Sequence, residues 1–193
     1  MNIRPVTPGD SVRILDIYSY YILNSTISFE EEVPSAEEFQ RRIEEISSQY
    51  PFIVAASGVE ITGYAYATKF RNRRAYRWAT EVALYVDVRH QQKGIGKKLL
   101  GALLDILQKL WYYTAYAVIT LPNEPSTKLF ESFGFKNTVS LKQVGYKHGK
   151  WCDVDIMEKI LRERDETPEE PLAFQEFITA NEDFNLYIHL PFR

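Results

Sequence analysis

The stretch R-H-Q-Q-K-G-I-G-K-K-L-L, residues 89–100, sets two glycines two apart among four cations and runs straight into an apolar pattern of helical spacing. A Walker loop needs G-x-x-x-x-G-K-[ST], but Lys98 follows Gly96-Lys97 and Gln91 stands where the first glycine belongs. A dinucleotide fingerprint needs a third glycine where Leu99 stands, and an early β-α-β unit that is missing here. What remains is a strand, a short basic turn and a helix whose leading N–H groups are unpaired. Such a helix start attracts an anion, because Gly94 and Gly96 let the backbone approach and the helix end is partly positive. Arg89, Lys93, Lys97 and Lys98 add to that attraction, and a pyrophosphate is the natural guest. On local sequence alone, a glycine turn with a solvated basic face stands beside this reading.

The strand before the loop, residues 80–87, alternates. Val82, Leu84 and Val86 face one way, and Glu81, Ala83 and Tyr85 the other. Behind the loop, Leu99, Leu100, Leu103, Leu107 and Leu110 mark an amphipathic helix. Upstream, a strand at residues 3–6 precedes a helix carrying Ile14, Leu15, Tyr18, Tyr21 and Ile22, which fails near Asn24. Ser35 and Glu38 form a capping box for a second helix with Phe39, Ile43 and Ile46. A hairpin turns at Ser57-Gly58. Downstream come the strand A-Y-A-V-I-T-L, a short helix opened by N-E-P-S, and two strands turning at His148-Gly149. This order is α+β: a mixed, mostly antiparallel sheet of about seven strands with helices on both faces. Residues 1–161 form one domain and 162–193 an extension. The extension begins as the acidic, proline-bearing linker E-R-D-E-T-P-E-E-P and ends in the apolar F-N-L-Y-I-H-L-P-F, which reads as an added strand, a clasp or a lid.

With 193 residues, 45% hydrophobic, 25% charged and a net charge of −3, the chain reads as an ordinary soluble protein and not as a phosphate-neutralising nucleic-acid binder. No apolar run is long enough to span a bilayer, and the first residues lack the apolar stretch of a signal peptide, so the expected location is the cytoplasm. Cys152 is the only cysteine and three histidines lie scattered, so neither a disulfide nor a metal site is expected.

The spacing Gln91-x-x-Gly94-x-Gly96, between a strand ending L-Y-V and an amphipathic helix, resembles the acetyl-CoA loop of the GCN5-related N-acetyltransferases, the GNAT fold. More narrowly, the chain is similar to the phosphinothricin and methionine sulfoximine N-acetyltransferases. The matching segments are N-S-T-I-S-F (24–29), R-x-A-Y-x-W-x-x-E (73–81), Y-V-x-x-R-H-Q (85–91), L-P-N-E-P-S (121–126) and K-H-G-K-W-x-D-V (147–154). The resemblance implies that the backbone of Leu84, Tyr85 and Val86 pairs with a pantetheine arm. It also implies that Gln91, Gln92, Lys93, Gly94, Ile95, Gly96 and Lys97 cradle the pyrophosphate, with Asn123 and Ser126 at the head of the next helix. N-E-P-S is also a good helix start in any protein.

Acetyl transfer needs an unprotonated amine, and an amine with a pKa of about 8 or higher is mostly ammonium at neutral pH. A neighbouring carboxylate takes the proton. Glu81 matches the glutamate proposed as base in the resembling family; a salt bridge to a nearby arginine is the plain alternative. An N–H freed in residues 84–86, where the central strands splay, is the expected oxyanion donor. Many relatives carry a tyrosine acid where Phe130 stands, so a tyrosine-acid mechanism is not implied here. K-F-R-N-R-R-A-Y-R (69–77) holds five cations. Arg73 matches the family arginine that would hold an acceptor carboxylate, whereas Arg71, Arg74 and Arg77 read as solvated. Tyr76 and Trp78 wall the pocket or belong to the core, and Phe29 covers the acceptor. His148 orients it or stands in solvent. Glu30 and Glu31 replace other residues of the relatives, which points to an altered acceptor. The implied activity is acetyl-CoA-dependent N-acetylation of a small amino-acid-like amine by direct attack, in a protein that the relatives suggest is a homodimer. A peptide N-terminus or polyamine as acceptor, and a non-catalytic acetyl-CoA sensor, are the competing readings.

Overall fold

The computed structural model describes residues 1–181. In chain order the elements are β1 (Asn2–Pro5), α1 (Ser11–Asn24), α2 (Ala36–Gln49), β2 (Phe52–Ser57), β3 (Glu60–Lys69), β4 (Ala79–Val86), α3 (Ile95–Lys109), β5 (Thr114–Thr120), α4 (Glu124–Ser132), β6 (Lys136–Lys147), β7 (Lys150–Ile160) and α5 (Phe174–Ala180). The strands form one seven-stranded sheet in the order β1-β2-β3-β4-β5-β7-β6. Every neighbouring pair is antiparallel except β4 with β5. This is the α+β sheet expected from the patterns, with helices on both faces.

Alternation along β4 builds the two faces. Val82, Leu84 and Val86 pack into the cluster around α3, in which Leu99, Leu100, Leu103, Leu107 and Leu110 have no solvent exposure. Each such leucine contributes about 2 kcal/mol of apolar burial. Tyr85 packs on the opposite face with α1 and α2, where Tyr18, Tyr21, Tyr64 and Phe39 form an aromatic cluster. Helix α2 is half of a capping box: Ser35 Oγ accepts from Glu38 N–H at 3.1 Å, but the Glu38 carboxylate turns away to Arg42.

The linker expected after Glu163 needs correction. Its described part lies against the domain: Leu172 N–H donates to the Leu110 carbonyl at 3.1 Å, Tyr113 O–H donates to Asp165, and Phe174 on α5 enters the α3 cluster with 1% exposure. One buried apolar anchor, Phe174, follows the acidic stretch, and Leu172 attaches through its backbone N–H. The apolar segment 184–192 lies outside the described residues. Among the described residues no helix is long and apolar enough to cross a membrane.

Candidate active site

Strands β4 and β5 lie side by side only over Ala79↔Thr114, Thr80↔Ala115 and Glu81↔Tyr116. Farther on, β4 keeps its partner β3 and β5 keeps β7, so the two strands part. One bond fixes which way the β4 amides turn: Asp87 N–H donates to the Thr62 carbonyl of β3 at 2.9 Å. Backbone groups alternate along a strand, so Tyr85 and Ala83 also face β3, while Leu84 and Val86 turn theirs into the gap. Tyr21 O–H takes up the Val86 carbonyl at 2.5 Å. The amide groups of Leu84 and the N–H of Val86 thus face an opening that an extended arm can enter as an added strand.

The opening widens into a cavity of about 400 Å³. Helix α3 begins beside it. Gly94, at φ +76°, is its N-cap, and no side chain caps the first turn. A Cβ on Gly96 would stand 3.3 Å from Leu129 of α4 and 3.5 Å from Leu84, so a bare backbone lets that turn settle in the angle between β4 and α4. The leading amides of α3 therefore sit at one end of the gap, suited to an anion. The cations around them have divided roles. Arg89, expected to strengthen the anion site, instead pairs with Asp87 at 2.7 Å, and Arg13 pairs with the same carboxylate. The Arg89 hydrogen bonds hold the Asp87 carboxyl well below its ordinary range despite burial, and Arg13 adds to this. Gln91 Nε2 donates to the Tyr21 phenol oxygen at 3.0 Å and so braces the loop through Tyr21 against β4, and Lys93 donates to the Arg89 carbonyl at 3.3 Å. Gln92 holds a left-handed φ of +60°. Lys97 and Lys98 are exposed on the first turn.

Glu81 sits where the pairing of β4 and β5 ends and lines the cavity with Tyr18, Tyr66, Phe29 and Glu30. Burial pushes its carboxyl up, and the Arg71 charge pulls partly back. No arginine is bonded to it, so the salt-bridge alternative finds no support among the described residues. Tyr18 O–H donates to Glu30 Oε1 at 3.0 Å and lies 2.8 Å from Ser28 Oγ, while Arg42 reaches Glu30 at 2.6 Å. Burial pushes the Tyr18 phenol up to about 12, which keeps it a neutral donor. Across the cavity stand Asn123, Ser126 and Phe130. Asn123 Oδ1 caps α4 by accepting from Ser126 N–H at 3.3 Å, so its helix-start role is present, and its amide nitrogen is not used by that cap. Phe130 is buried edge-on to Phe135.

Phe29 rests on β6: a Cβ on Gly145 would fall inside van der Waals contact of three Phe29 ring carbons. Lys147, 2% exposed, donates to the Ile22 and Ser28 carbonyls at 2.6 and 2.7 Å and pins the segment leading to Phe29. The other acceptor candidates lie elsewhere. Tyr76 and Trp78 line a second cavity of about 210 Å³, and Trp78 Nε1 donates to the Glu169 carbonyl. Arg73 is exposed ahead of the short 3-10 turn Arg74–Tyr76, and His148 is exposed at the hairpin tip with φ +50°. Neither lines the first cavity. Tyr18, Tyr66 and Lys147 were missed. For Tyr66 a signal existed: it alternates with Tyr64 on the face shared by Ala83 and Glu81. One trio among the described residues has metal-ligand spacing, Glu60, Asp87 and His90, with ligand atoms within 4.8 Å of one another. Two guanidiniums already on Asp87 oppose a cation there.

A seven-stranded sheet parted at its one parallel pair, with a helix N-terminus at the parting, is matched by a family model: the acetyltransferase (GNAT) domain fits residues 3–156. The chain belongs to the GNAT acetyltransferases. A phosphinothricin N-acetyltransferase of Streptomyces viridochromogenes is 36% identical over 159 residues, 82% of this chain and 87% of the relative. An L-methionine sulfoximine/L-methionine sulfone acetyltransferase of Salmonella typhimurium is 30% identical over 84% of this chain and 96% of its own. Among solved structures, a phosphinothricin acetyltransferase from Sinorhizobium meliloti in complex with AcCoA superposes with a TM-score of 0.84 at 35% identity, covering 88% of this acetyltransferase and 94% of that chain.

In this acetyltransferase, Gly145→Ala should displace the Phe29 ring from the cavity mouth and lower stability by about 1–3 kcal/mol through overpacking. A structure of the variant and its chemical denaturation check both. An unmoved ring would contradict the contact described.

Proposed function

We propose that the enzyme transfers the acetyl group of acetyl-CoA to the amine of a small amino-acid-like acceptor, of the phosphinothricin or methionine sulfoximine type, by direct attack with Glu81 as general base. The names of the relatives and the AcCoA held by the Sinorhizobium enzyme support the substrates. The observation that carries the mechanism is the environment of Glu81: a half-buried carboxylate, raised by burial, at the last residue of β4 that pairs with β5, beside amides that β5 leaves unpaired. Bound acetyl-CoA supplies the acetyl group as a thioester. The leading amides of α3, with Gln92, Lys93 and Lys97 around them, suit its diphosphate, and Leu84 and Asn123 offer hydrogen bonds to an extended arm. Glu81 takes the proton from the amine as its nitrogen bonds to the thioester carbon, and the C–S bond then breaks to release coenzyme A as a thiolate. The N–H of Leu84 or Val86 stabilises negative charge developing on the carbonyl oxygen. No covalent enzyme intermediate is needed. Arg71, whose charge is felt at Glu81, joins Arg73 as a partner for the acceptor carboxylate.

A specific observation favours a second reading. Among the described residues, Glu30 and Glu81 are the charged residues that line the cavity, and two carboxylates there, one of them already paired with Arg42, suit a dicationic acceptor such as a polyamine. Thiol release with acetyl-CoA and a panel of amino acids, methionine sulfoximine, peptides and polyamines decides between them. Activity should fall as pH drops through a Glu81 pKa above the ordinary carboxylate value, because the base works only when ionised. Glu81→Gln should lose about 10²–10⁴-fold in kcat and abolish that acid limb. Full turnover by the variant at every pH would refute the base role.

The proposal includes a cytoplasmic location, where acetyl-CoA is available, and a homodimer. Its support is the sheet edge: β6 spans 12 residues and, with β7, exposes Val139, Val144, Tyr146 and Trp151, an edge that calls for a cover. Light scattering that reads one chain at micromolar concentration would overturn the dimer.

A further inference from the structure

We propose that the extension acts as a latch: Glu169 and Glu170 hold the loop between β3 and β4 in place and thereby set the affinity for the acceptor. This rests on the acceptor reading above.

The latch lies outside the family match, which ends at residue 156. The Arg77 guanidinium grips Glu170 through two bonds of 2.6 Å, Nε to Oε2 and Nη2 to Oε1. Arg74 stands 3.7 Å from the same carboxylate. Arg77 also lies 3.6 Å over the Trp78 ring, and the Trp78 indole N–H donates to the Glu169 carbonyl at 2.8 Å. Two neighbouring residues of the loop thus meet two neighbouring residues of the extension, one pair through side chains and one through a backbone carbonyl. The extension is itself a fixed post, since Leu172 and Asp165 tie it to Leu110 and Tyr113 in the turn between α3 and β5, and Phe174 enters the core cluster of α3.

The loop needs such a hold. Its first residue, Phe70, stacks on Tyr116 with ring centres 4.2 Å apart, directly across from Glu81 in register. Between Phe70 and Trp78 the loop passes over the second cavity, bounded by Tyr76, Trp78, Arg164, Asp165 and Pro168. A segment spanning a hollow is positioned by its two ends, and the extension supplies one of them. The cations divide accordingly: Arg74 and Arg77 serve the latch, while Arg71, over the Phe70 ring at 5.1 Å and with its charge felt at Glu81, remains for the acceptor. Releasing the latch lets the Arg71 guanidinium drift from the Glu81 end of the cleft without touching α3 or the open edge of β4. Arg77 and Glu170 are positioning residues in this sense, and neither lines the cleft.

The test compares Arg77→Glu, Glu170→Arg and the double swap in the full chain. The readouts are backbone hydrogen exchange over residues 71–76 and the KM for acceptor and for acetyl-CoA. Each single variant should speed exchange in the loop and raise acceptor KM about five-fold, the scale of one well-oriented ion pair, with acetyl-CoA KM held within about two-fold. The double swap should recover most of both effects. Unchanged exchange or acceptor KM in the single variants, an equal rise in both KM values, or no recovery in the swap would overturn the latch. Wild-type enzyme inactive on every amine would overturn the functional reading instead, and the exchange data alone would then decide whether the latch exists.

Discussion

Two strands that must pair and then must part govern this molecule. Strand β4 is held along its whole length by β3, and β5 by β7, yet the two touch over only three register pairs, ending at Glu81 and Tyr116. A buried strand edge without partners is costly, since each unmet backbone group loses a hydrogen bond in a medium that returns none. The structure tolerates the parting because the gap is open to solvent, because Tyr21 O–H caps the Val86 carbonyl, and because Gln91 supports Tyr21. The same parting leaves room for an added strand, brings the start of α3 to the mouth, and leaves Glu81 at the fork. The proposed binding and chemistry would share that one origin.

The two sides of the fork differ in kind. On the α3 side, apolar packing fixes a backbone feature, the uncapped first turn, and Gly96 permits its close approach to β4 and α4. On the α1 side, tyrosines stack around Tyr85 and wall the cavity. The outcome is a Glu81 carboxylate raised by burial and partly restrained by the charge of the loop arginine Arg71.

Periodicity made the fold legible. The leucine spacing of α3, the alternation in β4 and the turn residues at Gly58 and Gly149 each carry a local signal, and the helix-start signature at Asn123 was read from four residues. The open edge and the uncapped helix start follow from those elements. Contacts between segments distant in sequence were not legible. Nothing local distinguishes Arg73 from Arg71, or predicts that Arg77 and Trp78 turn to Glu169 and Glu170 across some ninety positions. Likewise Gly145 looks like a flaw in a strand until Phe29 is seen to rest on it. The acidic extension misled because composition averages over a segment, whereas attachment depends on single residues such as Leu172 and Phe174.

The most direct measurement is residue-resolved amide exchange of the enzyme with and without coenzyme A. The parted-strand account predicts slowed exchange at Leu84 and Val86 of β4 and at residues 95–97 on the first turn of α3. Saturating coenzyme A that leaves these amides unchanged while protecting another surface would contradict it.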